Sequence, residues 1–295
     1  MFIKEDKEFV EEIIDEGEDR TESFMNKINK ALFDMLKNPT DEQIKKFRDT
    51  RDALLTGWLV ASMKESKPNY YEAAQIGIDV ADAQLAEKGI KKVVNKNIDK
   101  STFIGKVDSK IESLQQDLVA ITESIKSNSE KIIKELKSSP TANTLKEQKK
   151  ISAELVAQLE EKGITFFTDK IGRKTPIEKY VRMRVFTDSV TIQRTSYFVR
   201  AIQYGVDLVR IVHLNIHPTC ELCAPFENKI LSINGDTPGY MTIEQAQNCG
   251  LFHPNCDHVP EDLELAPVDK GGEGVIDLNE ANLKRQENST NKNVL

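Results

Sequence analysis

Every cysteine and every histidine of this chain lies between His213 and His258. The cysteines are Cys220, Cys223, Cys249 and Cys256; the histidines are His213, His217, His253 and His258. Chance would scatter these residues, so the clustering points to one shared role. The stretch reads H-P-T-C-E-L-C, then turn-rich sequence, then H-P-N-C-D-H. Two short ligand pairs that close a loop match the spacing of a structural zinc site. Cys220 and Cys223 form the first pair, and His253 and Cys256 the second. A closed set of four N and S ligands is structural rather than catalytic. Pro218, Pro225 and Pro254 stiffen the turns. The ligand set stays open at its margin: Cys249, His213, His217 or His258 can replace a ligand or orient one.

Three other readings compete. A redox C-x-x-C opens a helix after a strand, whereas Pro218 to Pro225 reads as loop. A disulfide needs an oxidising compartment, and the start Met1-Phe-Ile-Lys-Glu-Asp6 lacks a basic, apolar leader. Buried cysteines and histidines without metal are the plain alternative.

The rest of the chain predicts long helices. Aromatic residues are only 6% and charged residues 30%, which suits helices with solvated faces better than a large aromatic core. Net charge is -7 and the pI about 5.4, so nonspecific nucleic-acid binding is not indicated. No run of about 18 apolar residues marks a membrane span.

A first helix is expected over 5–37, broken near Gly17, with Thr21 or Asp19 as a cap. A second starts at Asp41, with Ile44, Phe47, Leu54, Trp58 and Val60 as its apolar set. Pro68-Asn69 should end it. A third then runs from Tyr70 to Lys88 and stops at Gly89; its Ala73, Ala74, Ala81, Ala83 and Ala86 predict close helix packing. Ile104, Ile111, Leu118, Ile125 and Ile132 repeat every seventh residue, with Val107, Leu114 and Ile121 between them. This is a heptad seam that degrades at Asn128, able to bind a helix of its own chain or of another. A further helix is expected over 142–162, carrying Leu145, Leu155 and Leu159.

At Gly163 the pattern changes. Ile164 to Thr168 is β-prone, and Asp169 to Lys174 a turn. Thr175 and Pro176 read as N-cap and first helical residue of a helix that reaches Gly205 with an interruption near Asp188. Strands are expected at 206–213 and 229–233, with a short helix at 242–248. The fold class is therefore α+β, in three parts. Residues 1–162 form a helical bundle or coiled-coil domain with a heptad helix near 104–136. Residues 163–262 form a small zinc-stabilised module. Residues 263–295 form an extended or disordered tail.

Two runs carry a resemblance. T-D-K-I-G-R-K-T-P-I-E-K-Y-V-R-M, from Thr168 to Met183, and Q-Y-G-V-D-L-V, from Gln203 to Val209, resemble the phage minor capsid protein 2 family. The paired C-x-x-C and H-P-N-C are similar to the Mu F-like head morphogenesis family. The resemblance covers roughly 163–262. It implies a structural protein of a tailed-phage head, located in the virion and assembled in the host cytoplasm. The implied partners are the portal or the major capsid protein, further copies of the chain in the virion and the packaged DNA, with a role in DNA packaging or ejection. It implies no enzyme activity. Many relatives lack the Cys220/Cys223 pair, and the arginine usual between the last knuckle residues is Asp257 here. The alternative functions are a His/Cys-type metal-dependent nuclease and a phage-delivered effector. No convincing β-β-α histidine and asparagine pair supports the first, and only a tail follows residue 262 to support the second.

Overall fold

A computed structural model describes residues 2–94, 100–138, 166–168, 172–216, 218 and 220–264. The expected helix over 142–162, His217 and the tail from residue 265 lie outside the described residues. The chain divides into two compact units, each drawn from separate stretches of sequence. One takes Met1–Glu12, Pro68–Lys110 and Phe186–Leu295; the other takes Ile13–Lys67 and Ile111–Val185.

The elements run in the order α1 (Phe2–Lys37), α2 (Asp41–Glu87), α3 (Lys100–Ser138), β1 (Phe166–Thr168), β2 (Lys174–Pro176), α4 (Ile177–Gln203), β3 (Leu208–His213), β4 (Ile230–Ser232), α5 (Ile243–Asn248) and β5 (His258–Glu264). The fold is mostly helical with small antiparallel sheets, an α+β arrangement. No helix among the described residues is long and apolar enough to cross a membrane.

Two helices are longer than the sequence suggests. α1 passes through Gly17 without a break, and Thr21 sits inside it rather than at a cap. The Thr21 hydroxyl donates to the Gly17 carbonyl at 2.9 Å, within the helix. α2 passes through Pro68, which was expected to end it. A proline removes one helical hydrogen bond, here the one to the Lys64 carbonyl. Lys64, Lys67 and Pro68 are all exposed, so water can satisfy that carbonyl. Tyr70, fully buried, anchors the continuing turn by donating from its hydroxyl to Asp188 at 3.1 Å. At the start of α2, Thr40 Oγ1 accepts from the Gln43 N–H. At its end Gly89 adopts φ 72°, and Ile90 N–H bonds the Leu85 carbonyl, a left-handed helix stop.

The heptad residues Val107, Ile111, Leu114, Leu118, Ile121, Ile125 and Ile132 are all buried by this chain alone, while Ile104 is exposed. In the second unit, α1 contributes Phe24, Ile28, Leu32 and Met35, and α2 contributes Ile44, Phe47, Leu55 and Trp58. Leu55 is buried where Leu54 was expected, and Val60 is exposed. Phe24 stacks on Trp58 with centroids 4.9 Å apart.

Past Ile125 the seam becomes polar for a reason. Arg51, 5% exposed, donates to Ser129 Oγ at 2.7 Å and to Glu130 at 2.8 Å, and Arg48 adds two bonds to Glu130. The Arg48 and Arg51 guanidiniums hold the Glu130 carboxyl at about 2, well below its usual value. The folded state therefore binds fewer protons here than the unfolded chain. The cluster stabilises fully above the ordinary glutamate value of roughly 4.3, and that stability is lost as pH falls toward about 2. Glu130→Gln should flatten this acid limb: urea midpoints of parent and variant should converge as pH drops from about 5 to about 2. Parallel pH profiles would show that the arginines do not discriminate the charged carboxylate.

α4 begins at Ile177 rather than Thr175, because Thr175 and Pro176 belong to β2 and pair with Phe167 and Phe166 of β1. It runs without interruption, and Asp188 is buried on it, accepting from Tyr70 and from Lys110 Nζ at 3.0 Å. In the first unit β3 is the central strand, with β4 and β5 antiparallel on either side. Val209, Ile211, Leu231 and Leu263 of this sheet share a core with Tyr197, Ala201, Phe226 and Ala246. β5 was not placed by sequence pattern, and it runs two residues into the stretch read as tail.

Candidate metal centre

The two ligand pairs sit on two tight turns. Cys223 N–H and Ala224 N–H both donate to the Cys220 carbonyl, and a short 3-10 turn over Ala224–Phe226 follows. Cys256 N–H donates to the His253 carbonyl across a turn in which Asn255 takes φ 63°, a conformation asparagine tolerates well. Thr187 Oγ1 accepts from the Asn255 N–H at 3.1 Å, tying this turn to α4.

The turns bring the predicted ligands together in two overlapping groups, Cys220, Cys223 and His253 in one and Cys223, Cys256 and His258 in the other. Cys220 Sγ lies 2.9 Å from His253 Nε2, and Cys223 Sγ lies 3.5 Å from Cys256 Sγ. The donor atoms of Cys220, Cys223 and His253 lie within 4.8 Å of one another. His253 Nδ1 faces the Pro254 carbonyl at 2.7 Å. A carbonyl only accepts, so Nδ1 carries the proton and Nε2 turns its lone pair toward the sulfurs. This is the tautomer a metal-binding histidine needs.

The hydrogen bond from Cys223 lowers the Cys256 thiol well below its usual value, helped by His258 and the Arg194 guanidinium. Cys223 is pushed up because it donates its S–H to Cys256 and is buried. A cation at the pair would take the place of that proton. The set of three sulfurs and one imidazole fits zinc by ligand type.

Of the remaining candidates, Cys249 belongs to none of these donor groups. It closes α5 and packs in the apolar core. His258 groups with Cys223 and Cys256, and His213 stands behind it. They are paired residues of β3 and β5, and their rings stack 4.7 Å apart at 23°. His258 Nδ1 lies 3.5 Å from Cys256 Sγ.

Three contributing residues escaped the sequence reading. Arg194 of α4 is 3% exposed, donates through Nε to the His258 carbonyl at 2.6 Å and through Nη2 to the Cys256 carbonyl, and lies 4.2 Å over the Phe252 ring. Burial lowers it from its usual value, and the charges at Cys256, Cys223 and Asp257 oppose that. Asp257 is buried, with Oδ2 accepting from the Ile216 N–H at 2.8 Å. Glu227 reaches both histidine rings. The weak signal for the last two was position, since Asp257 lies inside the H-P-N-C-D-H run and Glu227 just after the C-x-x-C.

A helix-rich α+β chain with a Cys/His knuckle on a three-stranded sheet defines the class by its structure. The model of the family Phage minor capsid protein 2 matches residues 19–261, and the chain belongs to this family. The match takes in most of the helical half, well beyond the stretch where sequence motifs carried the resemblance. The protein is accordingly a structural capsid component of a phage virion. No curated protein and no solved structure matches it.

Proposed function

We propose that this minor capsid protein works without catalysis, docking on the portal or inner capsid during head assembly and aiding packaging or ejection of the genome. We further propose that Cys220, Cys223, His253 and Cys256 bind one structural zinc ion that fixes the β3–β5 sheet to its loops. The family match supports the structural role. One observation carries the zinc reading: Cys220 Sγ meets His253 Nε2 and Cys223 Sγ meets Cys256 Sγ across two turns 33 residues apart. The sheet is small, so metal binding would supply a substantial part of its folding free energy.

Elemental analysis of the full chain under non-chelating conditions tests this. The Cys220→Ser/Cys223→Ser variant should carry one zinc equivalent fewer than the parent and lose protease resistance over β3–β5. Equal zinc in both proteins would remove this ligand set. The parent should also leave duplex DNA intact in the presence of Mg²⁺.

A further inference from the structure

One zinc at the knuckle leaves the histidine pair behind it unexplained. We propose that His213, Asp257 and His258 hold a second divalent cation, with Glu227 as the carboxylate that orients the His258 ring.

The register of the sheet creates the site. His213 is the last residue of β3 and His258 the first of β5, and they are direct partners. One donor atom from each ring and one Asp257 oxygen lie within 4.8 Å of one another. His213 Nε2 is 2.8 Å from Asp257 Oδ1. Glu227 Oε1 lies 3.2 Å from His258 Nε2 and 3.7 Å from His213 Nδ1. His258 Nδ1 faces Cys256 Sγ.

Each of the four ring nitrogens thus faces a carboxylate or a sulfur. A neutral imidazole has only one N–H. With the Nε2 side of His258 toward Glu227, the donors left to a single divalent cation are His213 Nε2, His258 Nδ1 and Asp257 Oδ1. Ring N–H to carboxylate is also how metal-binding histidines are usually held. Asp257 and His258 are almost fully buried, and the Ile216 N–H fixes the second Asp257 oxygen, so the donors are preorganised. Two imidazoles and a carboxylate suit a first-row cation such as Mn²⁺, Fe²⁺ or Zn²⁺.

The full chain should be equilibrated with Zn²⁺ and Mn²⁺, freed of excess ions by gel filtration, and its total metal measured. The parent is expected to hold about two equivalents, and Asp257→Asn and His213→Gln about one each, with the cysteine-bound zinc retained. Circular dichroism confirms that each variant is folded, and either one suffices. One equivalent in parent and variants alike would overturn the second site. Failure of the knuckle looks different: metal would survive Cys220→Ser/Cys223→Ser yet vanish in Asp257→Asn.

Discussion

Arg194→Ala should cost about 4 kcal/mol of stability, read as a large drop in the urea midpoint. The guanidinium bridges the Cys256 and His258 carbonyls, the two groups that flank Asp257. It therefore joins the second knuckle turn to the start of β5. Alanine would leave both carbonyls without this donor in a buried site, at about 1–3 kcal/mol each. Loss of the guanidinium over the Phe252 ring, 4.2 Å away, adds about 1 kcal/mol. Arg194→Lys should recover less than half, because an ammonium is a point donor and cannot bridge both carbonyls as a planar fork does. Metal retention should weaken in step with stability, since Cys256 is itself a proposed ligand. An alanine variant within about 1 kcal/mol of the parent would mean that water replaces the guanidinium without cost.

Arg194 also marks a limit of sequence reading. On α4 it is one of several arginines at helical spacing, and nothing local distinguishes it from the half-buried Arg182 or Arg184. Its role comes from β5, which docks 62 to 64 residues later. β5 itself was hidden by Pro260, because proline demotes a strand. It is tolerated here since β5 lies at the sheet edge, paired on one side with β3. The four knuckle residues, by contrast, could be singled out because short spacings are local. Their neighbours Glu227 and Asp257 acquire meaning only when β3 and β5 pair His213 with His258.

The helices show the same division. Heptad spacing in α3 and the Gly89 stop were legible because each depends on a few adjacent turns. The capping box at Thr242 and Gln245 of α5 is equally local. Pro68 misled because its effect depends on where its face points, and periodicity does not reveal that a freed carbonyl meets water. Asp188 looked like an interruption in α4, yet Tyr70 and Lys110 reach it from distant sequence and make it a buried anchor.

The alanine-rich stretch of α2 leads to the second large effect. Ala73, Ala74 and Ala81 are buried, and Gly77 lies among them. A Cβ on Gly77 would lie 2.2 Å from the Gln193 carbonyl oxygen and 3.0 Å from its carbon, both backbone atoms of α4. Backbone cannot rotate away as a flexible side chain would, so the two helices must separate. Gly77→Ala should therefore destabilise by about 3 kcal/mol, even though alanine gains about 1 kcal/mol of helix propensity. Gly57→Ala in the same helix isolates the propensity term, because nothing lies within 4 Å of its added Cβ. That control should be stabilised by about 0.5–1 kcal/mol. Thermal unfolding of the two variants should thus move in opposite directions from the parent. A shared upward shift would mean that α2 and α4 can part without loss. The opposite-sign result would instead make Gly77 the position that sets how closely α2 carries Tyr70 and Gln84 to their α4 partners Asp188 and Tyr197.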